Sequence, residues 1–226
     1  MSETDSFIDE VSEEVRRERL YGLMRKYGWI PILLVLLIVG GAAYNEWRKA
    51  SIQSAAEATG DAMLVAIVAE DAAAQADAFA GIAAEGGPAA IIARHQEAAA
   101  RIQADDLTTA TVLLTALAED AEAPVIYQDL ALFKLVLIDG EDMDPAYRDA
   151  AFDRLTGPDS AFRLLAMEQR AAFNAAEGDT DAALAELALI LDDPQTTNGL
   201  RSRAQQMIIA LGGSLPETGL PETSDG

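Results

Sequence analysis

The 226-residue chain contains no cysteine and only one histidine, His95. The missing cysteines exclude a disulfide framework, a thiolate metal site and a cysteine nucleophile, and one histidine excludes a site with several histidine ligands. Aromatic residues are also scarce, at 6% of the chain against 50% hydrophobic residues, many of them alanine. Because alanine favours helices and lets them pack closely, this composition predicts an all-α protein.

Positive charge is scarce beyond the N-terminal region. The net charge of the chain is −22, and residues 50–226 carry most of it. An acidic surface repels nucleic-acid phosphates and anionic lipid headgroups. We therefore expect residues 50–226 to stand in water, away from the bilayer, and to bind no nucleic acid.

One long stretch has no charge at all, from Gly28 to Asn45. A helix needs about 20 apolar residues to cross the bilayer core, so the sequence predicts a transmembrane helix over residues 29–47. Its expected anchor residues are aromatic residues near both ends, a proline in the first turn and two glycines that let another helix approach. These residues are Trp29, Pro31, Gly40, Gly41, Tyr44 and Trp47.

Two alternatives compete with a retained anchor. A buried core helix would show a polar face, and this stretch has none. A cleaved signal peptide would follow a short basic region and end at small residues. The segment before this stretch is long and acidic, and Gly41-Ala42-Ala43 is a weak cleavage candidate, so we favour the anchor.

The distribution of lysine and arginine predicts the orientation of this helix, because the more basic flank stays in the cytoplasm. Five basic residues precede the helix closely and two follow it. The sequence therefore predicts a cytoplasmic segment over residues 1–28 and a domain over residues 48–211 on the far side. In a Gram-negative host, this arrangement is a bacterial inner-membrane protein with a periplasmic domain.

Residues 48–211 form a series of helical segments, separated by breaks at glycine, proline and aspartate pairs. The first segment, residues 50–72, is expected to continue the anchor helix. The apolar run from Leu130 to Ile138 is expected to be a buried helix rather than a strand. Residues 212–226 are repetitive in sequence and are expected to be a disordered tail.

Two windows in this domain fit a tetratricopeptide-like helix pair, which needs a small residue in each helix and a tight turn between them. The packing residues are Ala98, Ala110 and Leu114 in the earlier window, and Ala171, Gly178, Ala183 and Leu187 in the later one. We expect an α-solenoid of such pairs, whose stacking leaves a groove for peptides. The alternative is an unrelated helical bundle.

No catalytic or metal-binding pattern accompanies these helices. The sequence has no nucleotide-binding glycine loop, no paired histidines and no hydrolase elbow. The many acidic residues are expected on solvent-facing surfaces, and His95 is expected to be a surface or groove residue rather than a base. The sequence thus predicts a protein without catalytic residues, metal or cofactor.

The order of parts resembles the family of ancillary SecYEG translocon subunits, also called YfgM-like. The resemblance is clearest between Arg19 and Leu64, where Leu23-Met24-Arg25-Lys26-Tyr27-Gly28-Trp29 leads into the anchor and Tyr44-Asn45-Glu46-Trp47-Arg48 leads out of it. The helix pair from Ala161 to Leu191 is also similar. Between them, the similarity is one of helical character only.

The resemblance implies a non-enzymatic, membrane-anchored adaptor or chaperone-like subunit that assists emerging periplasmic polypeptides. Its implied partners are SecYEG and a membrane-anchored periplasmic chaperone of the PpiD type. The alternative function is a non-catalytic scaffold or accessory subunit of another envelope or respiratory membrane complex.

Overall fold

The computed structural model describes residues 21, 24–140 and 142–215. In these residues the regular structure is helical, without strands, which confirms the all-α expectation. The predictions for residues 1–20 and 216–226, and so for most of the cytoplasmic segment and the tail, lie outside the described residues. The helices are α1 Trp29–Ile67, α2 Ala72–Glu85, α3 Ala90–Gln103, α4 Leu107–Ala118, α5 Val125–Asp139, α6 Pro145–Leu155, α7 Arg163–Ala176, α8 Thr180–Asp192 and α9 Asn198–Ala210.

The chain divides into two compact units, residues 1–61 and 62–226. In the first unit, the described structure is mainly the larger part of α1. The second unit begins with the last residues of α1, where Ala66 and Met63 pack against Phe79 and Ala93. The helix predicted over residues 50–72 ends earlier, at Ile67, because Asp71 starts a new helix by accepting a hydrogen bond from the backbone N–H of Ala74 at 2.7 Å.

In the second unit, the extensive helix–helix contacts all join helices that are consecutive in the chain, from α2 on α3 to α8 on α9. One core cluster gathers residues of α3 to α7, including Leu114, Leu135 and Leu155. Another gathers residues of α7 to α9 around Leu187 and Ile190. The apolar run from residue 130 to 138 lies inside α5, as predicted.

The second unit contains a duplication that the two sequence windows revealed only in part. Helices α2 to α5 and helices α6 to α9 begin at positions 73 residues apart. The pairs of first residues are Ala72 and Pro145, Ala90 and Arg163, Leu107 and Thr180, and Val125 and Asn198. Helices α2 to α9 are therefore arranged as a tandem of two four-helix repeats in which all four helix starts correspond.

The turns before α4 and α8 repeat the same capping hydrogen bond at the same spacing. Before α4, the backbone N–H of Thr109 donates to Asp106 Oδ1 at 3.2 Å. Before α8, the backbone N–H of Ala182 donates to Asp179 Oδ1 at 3.1 Å. The residue before each cap has a positive φ, 61° at Asp105 and 89° at Gly178, which turns the chain back on the preceding helix.

Equivalent core positions carry equivalent side chains. Phe79 of α2 and Phe152 of α6 are both buried, as are Ala131 of α5 and Ala204 of α9. Each pair is again 73 residues apart. Each four-helix repeat thus buries a phenylalanine and an alanine at positions that are equivalent in the two repeats.

We expect the two aspartate caps to contribute equally to stability. Asp106→Ala or Asp179→Ala removes the acceptor for an otherwise unpaired helical N–H, and each should lower the free energy of unfolding by about 1 kcal/mol. Urea denaturation of the full chain in mild detergent, followed by circular dichroism, measures the change. Asp159→Ala, at an exposed residue outside the helices, should have almost no effect. A large cost at only one of the two caps would contradict their equivalence.

Candidate functional site

Among the residues that the structure describes, α1 alone is long and apolar enough to cross a membrane. Its 39 residues span about 58 Å, roughly twice the thickness of the bilayer core. Every residue from Trp29 to Ala58 is exposed, so the described residues do not bury this part of α1 as they would bury a core helix. The weak cleavage candidate at residues 41–43 lies in the middle of an unbroken helix.

The structure places the expected anchor residues along this one helix. Trp29 and Trp47 are 18 positions apart, which corresponds to about 27 Å along the axis and matches the thickness of the bilayer core. The rings of Tyr44 and Trp47 lie side by side, with centroids 6.1 Å apart. Two amphipathic aromatic ends separated by this distance suit the two membrane interfaces.

Pro31 and the two glycines complete that set. Pro31 lies in the first turn of α1, where its missing N–H loses no helical hydrogen bond. A Cβ atom added at Gly40 or Gly41 would meet nothing within 4 Å. Packing among the described residues therefore does not require either glycine, and both leave the backbone of α1 open to close approach by another helix.

The structure brings the expected helix-pair residues into the interior of the second unit. The residues Ala98, Ala110, Leu114, Ala171, Ala183 and Leu187 are all fully buried. Ala98 and Leu114 share one core cluster, whereas Ala171 and Leu187 share the other. Gly178 forms the turn between α7 and α8 at a φ that favours glycine.

Several carboxylates expected on solvent-facing surfaces are buried instead, including Asp129, Glu168 and Glu186. Burial is tolerable because each is paired with an arginine from another helix. Arg170 of α7 contacts Glu186 of α8 at 2.6 Å, and Arg203 of α9 contacts Glu168 of α7 at 2.6 Å. These pairs fix neighbouring helices to one another, and sequence spacing alone gave no signal of the pairing.

His95 is also buried, at 5% exposure, so the expectation of a surface or groove residue was wrong. It lies on the face of α3 that packs against α5. Its ring centroid is 5.9 Å from that of Tyr127, and Lys134 Nζ donates to the His95 backbone carbonyl at 3.3 Å. Neither ring nitrogen has a hydrogen-bond partner among the described residues.

This environment favours the neutral imidazole. Burial, and secondarily the positive charge of Lys134, lower the pKa of His95 from 6.5 to about 4. Burial also lowers the pKa of Lys134. Because the pKa of His95 is lower in the folded state than in the unfolded state, its contribution to stability is complete above pH 6.5. The contribution is lost as the pH falls towards 4.

We therefore expect His95→Leu to reduce the acid sensitivity of the fold. Between pH 7 and pH 5, linkage at His95 should lower the free energy of unfolding of the parent chain by about 2 kcal/mol more than that of the variant. Urea denaturation at the two pH values measures the difference. Gln96→Leu, at an exposed neighbour, should keep the pH dependence of the parent chain. Equal losses in the parent chain and in His95→Leu would show that His95 does not titrate in this range.

A cavity of about 320 Å³ is the feature that sequence reasoning missed altogether. It lies where the C-terminal ends of α5 and α7 meet, and its lining includes Leu137, Asp139, Asp142, Phe173 and Ala176. Its existence depends on how α5 and α7 pack, which no local sequence pattern encodes.

Comparisons with protein-family models, with curated proteins and with solved structures find no match to this chain. Three features of the described part of the chain bear on its function. They are the exposed apolar helix α1, the tandem four-helix repeats and the cavity between α5 and α7. Among the described residues, no three histidine, cysteine or acidic side chains are grouped so that they could hold a metal ion.

Proposed function

We propose that this chain is a single-pass protein of a bacterial inner membrane, with a cytoplasmic N-terminus and a periplasmic helical domain. The exposed apolar surface of α1 supports a membrane position, because an uncovered surface of this length is unstable in water. The excess of basic residues before the helix over those after it supports the orientation. The acidity of residues 50–226 is compatible with a domain held in water.

The periplasmic domain, in this proposal, is a short solenoid of tetratricopeptide-like helix pairs. The duplication at 73 residues supports it, because two successive helix pairs of about 34 residues each come close to this spacing. Contacts between consecutive helices support it as well, since each unit of a solenoid packs on its neighbours in the chain. The buried alanine pairs are the small residues through which such helices touch.

The function that these features support best is that of an adaptor or chaperone-like ancillary subunit of the Sec translocon. The observation that carries it is the continuity of α1, whose apolar segment and whose last residues, packed in the second unit, belong to one unbroken helix. Such a tether holds a protein-binding surface near the membrane and raises its effective concentration there. Weak contacts with SecYEG, with a chaperone of the PpiD type and with emerging polypeptides would then suffice.

Site-specific photo-cross-linking in intact cells tests this proposal. A cross-linking residue placed at the exposed position of Leu137 in α5 should capture periplasmic polypeptides during their export, and one placed at Gly41 in α1 should capture a membrane subunit of the translocon. Affinity purification in mild detergent should recover the same subunit. A cross-linking residue at the exposed position of Asp192 serves as the control for non-specific capture.

The purification has an outcome that would reject the proposal. A stable, stoichiometric complex that contains other envelope or respiratory proteins and lacks translocon subunits would identify the chain as a scaffold of that assembly. Capture that is equally strong from Leu137 and from Asp192 would remove the argument for polypeptide binding by the helix pairs.

A further inference from the structure

The cavity between α5 and α7 is lined by both apolar and acidic groups. The apolar side is formed by Leu137, Phe173 and Ala176, and the acidic side by Asp139 and Asp142. Its volume of about 320 Å³ lies at the lower end of the range for small-ligand pockets. Its size therefore suits one or two side chains rather than a large cofactor.

The C-terminal ends of two helices line this cavity. Residues 136–139 are the last turn of α5, and residues 172–176 are the last turn of α7. A helix C-terminus carries a partial negative charge that favours a cation nearby. Neither helix has a basic residue in its last turn, so the chain does not neutralise these ends from within the two helices.

The nearby cation is already engaged. The Arg148 guanidinium lies over the Phe173 ring, with its central carbon 3.9 Å from the ring centroid. Its Nη2 donates to Glu177 Oε1 at 3.2 Å, and its Nη1 donates to the Gly140 carbonyl at 3.5 Å. Arg148 pairs with Glu177 and lies 4.0 Å from Asp149, and among the described residues no ion pair joins it to Asp139 or Asp142.

The first four-helix repeat supplies a basic residue where the second one does not. Helix α3, which is equivalent to α7, has Arg101 in its last turn. Arg101 Nη2 contacts Asp77 Oδ1 at 2.7 Å and lies 3.9 Å from Glu97. The equivalent position in α7, 73 residues later, is Asn174. The residues equivalent to Asp77 and Glu97 are Ala150 and Arg170, so the second repeat lacks both this arginine and the carboxylates that pair with it.

We propose that this cavity binds a lysine or arginine side chain of an extended polypeptide. The aliphatic part of that side chain packs on Leu137 and Phe173, and its charged end lies between Asp139, Asp142 and the two helix ends. This inference rests on the proposed binding of polypeptides. It adds the chemical class of segment that the cavity selects, namely segments in which a basic residue adjoins apolar residues. The chain's own tail is a poor occupant, because residues 216–226 contain three acidic residues and no basic one.

Fluorescence anisotropy with the full chain in nanodiscs of zwitterionic lipid tests the site. The probe is a ten-residue peptide with two lysines and two leucines among alanine and glycine, labelled with a neutral fluorophore. Two matched peptides carry norleucine or glutamate in place of lysine. We expect the lysine peptide to bind at least about tenfold more tightly than the norleucine peptide, a difference of about 1.4 kcal/mol, and the glutamate peptide not to bind.

Variants of the chain locate the binding. Asp139→Asn with Asp142→Asn should weaken the lysine peptide about tenfold and leave the norleucine peptide unchanged. Ala176→Leu, at an exposed lining residue, should weaken both peptides because it fills the cavity. The matched control is Asp159→Asn with Asp192→Asn, which removes the same charge at exposed residues outside the cavity and should change neither affinity.

Three outcomes would overturn the proposal. The first is equal affinity for the lysine and norleucine peptides. The second is an equal loss of affinity for the lysine peptide in the cavity variant and in the control variant. The third is displacement of the lysine peptide by an equal concentration of spermidine. The last outcome would mean that the site takes a free cation rather than a polypeptide. Failure of peptide binding while translocon subunits are still recovered would refute this site alone, whereas intact peptide binding without translocon recovery would refute the proposed function alone.

Discussion

Two aspartates in the middle of α1 are expected to remove the chain from the membrane. Leu36→Asp with Ile38→Asp puts two charges near the centre of the segment bounded by Trp29 and Trp47. A charged residue at the centre of a membrane helix raises the free energy of insertion by about 3 kcal/mol, so the pair should raise it by about 6 kcal/mol. We expect the variant to leave carbonate-washed membranes, which immunoblotting of the membrane and soluble fractions measures.

The same helix offers a matched control. Ile52→Asp with Ser54→Asp introduces the same charges at the same spacing, in the part of α1 beyond the expected bilayer core, where both residues are exposed. This variant should remain fully in the membrane fraction. If the Leu36 and Ile38 variant also stayed there, or if both variants left it, the segment over residues 29–47 would not be what holds the chain in the bilayer.

The second large effect is expected in the core of the second repeat. Leu187→Ala removes a side chain that is 0% exposed and packs in the cluster of α7, α8 and α9. A buried leucine replaced by alanine leaves a cavity and typically costs about 2 to 5 kcal/mol. We expect the free energy of unfolding to fall by an amount in that range. Urea denaturation should show a lower midpoint, while the slope of the free energy of unfolding against urea concentration stays unchanged.

Leu189, two residues further along α8, provides the control for the same substitution. It is 60% exposed, so Leu189→Ala should change the free energy of unfolding by less than about 0.5 kcal/mol. Leu114→Ala, at the equivalent position of the first repeat, should cost about as much as Leu187→Ala. Equal effects at Leu187 and Leu189 would contradict the packing described for α8.

Local patterns explain why the helices could be predicted from the sequence. Turn residues such as Gly178 and Asp179 have strong local preferences, and the interhelix segments fall at the expected breaks. The small contact residues could be found for the same reason, because a helix pair needs an alanine where two backbones approach. The stop at Ile67 was missed because an alanine-rich sequence gives no local signal there, and only Asp71 marks the next helix.

Features that depend on tertiary packing could not be predicted in this way. His95 and Glu186 are polar residues in helices, and the sequence alone does not reveal which neighbouring helix covers each of them. The 73-residue duplication was hidden for a different reason. Most paired positions differ in residue type, and alanine is so frequent that matches such as Ala131 with Ala204 carry little information in isolation. Its sequence signal combines pairs from the two windows, such as Leu114 with Leu187, with the shared spacing of Asp106 with Asp179 and of Phe79 with Phe152.

The lining of the cavity could be predicted only in part from the sequence. Asp139 and Asp142 are visible as acidic residues near a helix end, but the other side of the cavity comes from α7, about 30 residues later in the chain. Only the folded arrangement shows that two helix C-termini converge there without a basic residue in either last turn. Binding of the proposed occupant is measured separately from insertion of the anchor.

The topology of the chain is the claim on which the proposed location and function depend. A dual reporter fused after Gly226 measures it directly. Alkaline phosphatase is active only outside the cytoplasm. Green fluorescent protein fluoresces in the cytoplasm but does not become fluorescent when it is exported in the unfolded state. We expect high phosphatase activity and no fluorescence from an intact chain that retains the α1 helix. Fluorescence without phosphatase activity, or a mature protein that begins after Ala43, would contradict the account.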